Sequence, residues 1–328
     1  MTATLTAQNA PDRHKLVVTG QDPCPVDSIG IQRQDLINHH EEADVIVTSQ
    51  AMYVASVEHK SVGVVADDTD IYILLLYHYK IQQLASPMIM IPTKQGRTAT
   101  DIGLTSEKLG NLCFQLLPAH ALTGCDQVPM HYGIGKGKML KVAKEAENSL
   151  SLLGNMAANM EDVIEQATSF MATCYSVQAA NMTEARVKVW QTRTMKKTAK
   201  KALPLCSLPP TSACFRENVK RAHLQAAIWR NAEGDPPNVD PTHFGWERQD
   251  ELKLIRPITI PSSEKIAPEN VLKVLCCTCS SDALCRTRQC GCHAAPLGCT
   301  VYCSCQGWYN CNNPHTVMTL EENSDDDS

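Results

Sequence analysis

Nine cysteines crowd into the 35 residues from Cys277 to Cys311, spaced C-x-C-x5-C-x4-C-x-C-x6-C-x3-C-x-C-x5-C. No other feature restricts the folding of this chain as strongly. A segment so poor in large apolar side chains cannot close a hydrophobic core, so bonds to sulfur must replace one. Zinc is satisfied by four thiolates in tetrahedral geometry. Three zinc ions need twelve sulfur bonds, and nine thiolates supply twelve when three of them bridge. The expected ligands are Cys277, Cys279, Cys285, Cys290, Cys292, Cys299, Cys303, Cys305 and Cys311. The count closes without His293 and leaves Cys276 over. The alternative is a disulfide knot, which belongs to secreted proteins.

Nothing in the sequence suggests secretion. The N-terminal stretch MTATLTAQNAPDRHK has no apolar run and does not read as a signal peptide. The longest apolar run, IYILLLY at 71–77, falls far short of the ~20 residues a membrane helix needs. A nuclear or cytoplasmic setting with no membrane partner is expected, where clustered cysteines read as metal ligands. The net charge of −5 comes from the terminal EENSDDDS, with Glu321, Glu322, Asp325, Asp326 and Asp327; without that tail the chain is neutral. Charge therefore neither supports nor excludes a nucleic-acid partner.

Along the chain, KLVVTG (15–20) reads as a strand in an N-terminal segment, 1–35. NHHEEADVIVTSQAMYV reads as a helix capped by Asn38 with Glu41 three residues on. SVGVVA (61–66) reads as a strand buried on both faces, IYILLLYHYKIQQL as a helix, and MIMIP (88–92) as another short strand. Strand, helix, strand at this spacing predicts an α/β domain over 36–145 with a parallel sheet. From 101 the pattern turns helical and stays so through 146–230. There Val163, Ala167, Phe170 and Cys174 form one apolar stripe, and Phe215, Val219, Ala222, Ala226 and Trp229 another. A Pro-rich stretch, 231–270, reads as a linker to the cysteine module (271–313), and 314–328 is an acidic tail expected to be disordered.

Acids gather at three points of the α/β region. Glu42 and Asp44 open the first helix, Asp67, Asp68 and Asp70 follow the strand at 61–66, and Asp126 stands in ALTGCDQVPMHYGIGKGKMLK. At the carboxyl ends of parallel strands such acids are a solvated helix cap in the simplest case. The sharper reading is a site for a hard divalent cation, which makes clustered carboxylates tolerable. GIGKGK is neither a P-loop, which needs Ser or Thr after Gly-Lys, nor a dinucleotide loop, which needs glycine at 138.

This ordered series resembles the flap endonuclease/XPG family of structure-specific nucleases, which has a PIN-like fold. Glu-Ala-Asp at 42–44, Asp68-x-Asp70, and Gly-Cys-Asp126 before Gly133-Ile134-Gly135 look like that family's motifs. The resemblance implies that Glu42, Asp44, Asp68, Asp70 and Asp126 hold two magnesium or manganese ions for DNA phosphodiester hydrolysis. It further implies that Gly133, Ile134, Gly135, Lys136 and Lys138 form a hairpin on DNA phosphates. Little chain precedes Glu42, so the expected PIN-like parallel sheet is N-terminally shortened, followed by helices and a small zinc-cluster module. The whole string with its terminal cysteines also resembles repetitive animal reading frames related to mobile elements, from which no function carries over.

The cysteine spacing resembles the tesmin-type CXC domain, a three-zinc module used on DNA or chromatin, with Arg286 and Arg288 available to phosphate. ARVKVWQTRTMKKTAKK (185–201) is a second basic stretch. The leading expectation is a metal-dependent, structure-specific nuclease-like protein with DNA as partner. The alternatives are a non-catalytic nucleic-acid or chromatin-binding protein and a purely structural zinc scaffold.

Overall fold

The computed structural model describes residues 17–18, 23–27, 30–145, 150–194, 205–249, 254–259, 276–279, 285–295, 297–299, 303–306 and 311–315. The tail from 316 onward and the basic residues 195–201 lie outside them. The chain divides into two compact units, Met1–Lys197 with Leu203–Thr259, and Thr198–Ala202 with Ile260–Ser328.

The first unit is α/β. A two-residue ladder pairs β1 (Val17–Val18) with β2 (Val26–Asp27). The central sheet runs β3 (Val62–Val65), β4 (Met88–Ile91), β5 (Thr100–Asp101). β3 and β4 are parallel, in register from Val62 opposite Met88 to Val65 opposite Ile91. The helix between them, α2 (Thr69–Ile81), is the crossover that a parallel pair requires. β5 lies antiparallel on β4, so the sheet is mixed.

Helix α2 is the hub of the unit. Asp68 caps it, its side chain accepting from the Asp70 N–H at 2.9 Å. Leu74, Leu75 and Leu76 are all fully buried because α1 (Ala43–Ser56), α3 (Ile102–Leu109) and α4 (Leu112–Thr123) surround it. Each leucine contributes roughly 1.5–3 kcal/mol by leaving water. Gly110, with φ of 56°, breaks the helical stretch after 101 into α3 and α4. α5 (Lys136–Glu145), α6 (Met160–Cys174), α7 (Met182–Thr194) and α8 (Ser212–Arg230) complete the helical layer. Both apolar stripes read in 146–230 are core: Val163, Ala167, Phe170 and Cys174 on α6, and Phe215, Val219, Ala222, Ala226 and Trp229 on α8.

Four local expectations are corrected. α1 begins at Ala43, not near Asn38, because the Asn38 side chain accepts from the His40 N–H at 2.8 Å and turns the chain there. β3 is an edge strand covered on one face only, with Val64 buried and Val65 64% exposed. GIGKGK forms no β-hairpin; a turn closed by Ile134 N–H on His131 C=O leads straight into α5. Within 231–259, read as linker, a 3-10 turn (Pro241–Phe244) precedes an antiparallel hairpin of β6 (Trp246–Gln249) and β7 (Leu254–Pro257).

In the second unit the described residues are a cluster of cysteines with one short helix, α9 (Gly291–Ala294). Its buried residues are thiols packed on thiols, together with Asn313, whose Nδ2 donates to Cys299 Sγ at 3.2 Å. Among the described residues, no helix is long and apolar enough to cross a membrane.

Candidate metal centres

The acids of the first unit that line the pocket come from three places in the fold. Glu42 is the N-cap residue of α1 and Asp44 lies in its first turn. Asp68 and Asp70 open α2 at the carboxyl end of β3. Asp126 stands in the short turn after α4, where Cys125 and Val128 pair. All five line one cavity of about 210 Å³, together with Ala43, Cys125, Gln127, Gln225 and Trp229.

Long-range contacts hold this arrangement. His40 Nε2 donates to the carbonyls of Asn231 (3.2 Å) and Gly234 (3.0 Å), tying the approach to α1 to the end of α8. His78 Nε2 on α2 donates to the Trp229 carbonyl at 2.8 Å. α8 therefore projects Gln225 and Trp229 at Glu42. The Glu42 carboxylate accepts from Gln225 Nε2 at 3.0 and 2.9 Å and from Trp229 Nε1 at 3.1 Å. Asp70 Oδ1 accepts from His120 Nε2 of α4 at 2.6 Å, and the His120 ring stacks on Trp229 at 5.8 Å.

Asp44, Asp68 and Asp70 can each present a carboxylate oxygen within 4.8 Å of the others. Burial, then the charges of Asp68, Asp70, Glu42 and Asp126, push Asp44 up to about 6. That shift records the crowding of like charge around one carboxyl. Cys125 is pushed up to about 12 by burial, so it is a packing thiol. Asp67 faces away from this cavity, bonding the Thr93 hydroxyl and lining a neighbouring cleft with Tyr72 and Arg97.

Of the expected phosphate contacts, Gly133 and Gly135 are exposed, whereas Ile134 is buried as the anchor of the turn. Lys138 is half-buried on α5. Lys136 turns inward: its Nζ donates to the Gly124 carbonyl at 2.6 Å. Burial holds it below the usual lysine range, against the pull of Asp70 and Cys125. Sequence reading missed His120, Gln225 and Trp229. Trp229 was visible only as one more residue of an apolar stripe, and its indole N–H gave no separate signal.

In the second unit the thiols form three overlapping groups within 4.8 Å: Cys277–Cys290–Cys292–Cys299, Cys277–Cys285–Cys299–Cys305, and Cys277–Cys279–Cys285–Cys290. Cys303 and Cys311 join them through contacts of 3.6 Å to Cys292 and 3.8 Å to Cys305. These separations are far beyond a disulfide bond of about 2.05 Å, and no disulfide is present among the described residues. Burial pushes Cys279 up to about 11 and Cys292 to about 12, with neighbouring thiols adding to the rise. Cys290 goes the other way: burial raises it, but hydrogen bonds from the backbone of His293 and from Cys277 and Cys279 outweigh this and lower it to about 7. A cation among the sulfurs would draw the raised thiols into the thiolate form as well. Arg286 and Arg288 are exposed.

No protein-family model, curated protein or solved structure matches the chain. The molecule is thus an α/β unit with an aspartate triad and a unit of cysteine groups that could hold metal ions, with no family identified.

Proposed function

We propose that the first unit is a divalent-cation-dependent nuclease acting on DNA, and that the second is a zinc-folded docking module. One observation carries the reading: five carboxylates from segments far apart in sequence line a single cavity. Mutual repulsion makes that arrangement unfavourable unless a cation enters it.

The donor set fits magnesium or manganese. Asp44, Asp68 and Asp70 offer hard oxygen donors within reach of one another. Such an ion, when bound, supplies charge neutralisation and Lewis acidity toward a phosphoryl oxygen. The chain's own residues do the rest. Gln225 and Trp229 fix the Glu42 carboxylate, and His120 fixes one oxygen of Asp70. Asp126, exposed at the rim, meets whatever approaches from solvent. Tyr132, 59% exposed beside Gly133, offers a ring face for base stacking.

In the second unit, nine thiols in contact match three zinc ions with shared sulfur, with Arg286 and Arg288 set outward for phosphate. The test is cleavage of branched DNA by the zinc-loaded chain with magnesium or manganese. Cleavage is expected in wild type and abolished by Asp70→Ala and by Asp126→Ala. Equal DNA binding by all three proteins without cleavage overturns the nuclease and leaves a DNA-binding protein. No DNA binding, with zinc retained, leaves a zinc scaffold.

A further inference from the structure

Among the described residues of the second unit, the buried polar side chain that is not a thiol is Asn313, 3% exposed and two residues beyond Cys311. Both ends of its amide are engaged. Nδ2 donates to the Leu297 carbonyl at 2.9 Å and to Cys299 Sγ at 3.2 Å, while Oδ1 accepts from the His315 N–H at 3.0 Å. The bond to His315 fixes which end of the amide is oxygen, because a backbone N–H needs an acceptor. The nitrogen end therefore faces the sulfur. Leu297 is itself held, its N–H donating to the Cys292 carbonyl at 2.9 Å, and the His315 ring meets His293 edge-on at 5.5 Å.

The sulfur that receives this bond sits where the thiol groups overlap. Cys299 is buried, belongs to two of the three groups, and lies 3.8 Å from the sulfur of Cys277 and 3.9 Å from that of Cys290. Twelve zinc bonds from nine thiolates require three sulfurs to bridge. Overlap alone leaves more candidates than bridges, since Cys277, Cys285, Cys290 and Cys299 each belong to at least two groups. Of these, Cys299 is held from beyond the cysteine motif, by Asn313. A bridging thiolate has three lone pairs. Two go to metal, and the third, buried, calls for a donor. The Asn313 amide supplies it.

We infer that Asn313 is a positioning residue of the metal cluster, its amide fixing Cys299 as a sulfur shared by two zinc ions. This rests on the zinc reading of the second unit. A donor locked at both ends restrains the Cys299 side chain and stabilises the charge of its thiolate. Asn313 is thus part of the metal-binding machinery although it follows the last cysteine.

The test loads the full chain with cadmium-113 in place of zinc, a soft metal suited to the same thiolates and visible by NMR. In wild type the Asn313 side-chain amide proton is expected to show scalar coupling through Cys299 to two cadmium signals. Coupling to one cadmium makes Cys299 a terminal ligand and overturns the shared sulfur. Coupling to none overturns the hydrogen bond. Asn313→Asp keeps the shape and the acceptor for His315 but turns an oxygen toward the sulfur. It is expected to move those two cadmium signals more than any other, and to bind zinc about 10–100-fold more weakly in competition with a chelator. Wild-type zinc affinity in a folded Asn313→Asp chain overturns the role of Asn313. No cadmium bound by wild type overturns the zinc reading and the inference together. The wild-type couplings decide even if Asn313→Asp does not fold.

Discussion

Asp68→Asn should make the first unit more stable while destroying its affinity for divalent cations. The substitution is nearly isosteric, and Asn keeps the side-chain oxygen that accepts from the Asp70 N–H and caps α2. What disappears is a charge whose oxygens approach those of Asp44 and Asp70 within 4.8 Å. At that separation each repulsive pair costs roughly 1 kcal/mol in bulk water and roughly 3.5 kcal/mol at an effective dielectric of ~20. Asp68 is exposed, and Asp44, raised to about 6, carries its full charge only above that pH. The gain at neutral pH therefore falls toward the lower end, at about 2 kcal/mol. For a unit of this size that is roughly 4–8 °C in Tm. The assay is thermal unfolding of the zinc-loaded chain, free of magnesium and manganese, with and without added Mn2+. Wild type should gain stability with Mn2+ as RT ln(1 + [L]/Kd), and Asp68→Asn should gain none. A variant less stable than wild type without Mn2+, or one that still responds to it, would refute the convergence of charge on which the pocket depends.

The remaining expectations concern other parts of the molecule. Burial lowers His223 to about 4, and its Nδ1 accepts from the Gly154 N–H at 3.1 Å, which only a neutral ring can do. The unfolded chain takes up that proton first, so stability complete above about pH 6.5 falls as pH drops toward about 4, by up to roughly 3 kcal/mol. Urea unfolding between those limits should show this slope and a shallower one for His223→Asn; identical slopes would remove His223 as its source. In the second unit Cys277 belongs to all three thiol groups and Cys311 to none. Zinc content measured by mass spectrometry should therefore drop further for Cys277→Ser than for Cys311→Ser, and stay unchanged for Cys206→Ser, an exposed cysteine of the first unit. Equal losses at 277 and 311 would contradict the central place of Cys277.

The sheet and its helices were legible wherever side-chain pattern decides structure. Asp68 follows an apolar strand and precedes IYILLLY, and both the parallel pair and the helix α2 form there. The two apolar stripes of α6 and α8 became core because their spacing left them one face to bury. What escaped depended on partners remote in sequence. The start of α1 was misplaced because Asn38 spends its side chain on a local turn, and His40 is pinned by carbonyls beyond α8. The exposed face of β3 could not be foreseen, since VGVV reads alike on an edge or in a centre. The acids of the pocket were visible as motifs. Their partners were not, because nothing near Gln225 or His120 in sequence marks either residue as the neighbour of a carboxylate.

The bonds from α8 to Glu42 span 183 and 187 residues, which has a consequence for how the protein is made. At about 5–20 residues per second, the ribosome needs roughly 10–40 seconds to travel from one end of that contact to the other. Glu42 is made at the start of that interval and Asp126 before its midpoint, after which all five carboxylates wait for the helix that gathers them. The nascent chain thus carries its most repulsive residues unassembled until Trp229 has left the exit tunnel, and premature termination anywhere upstream yields a product without the cavity.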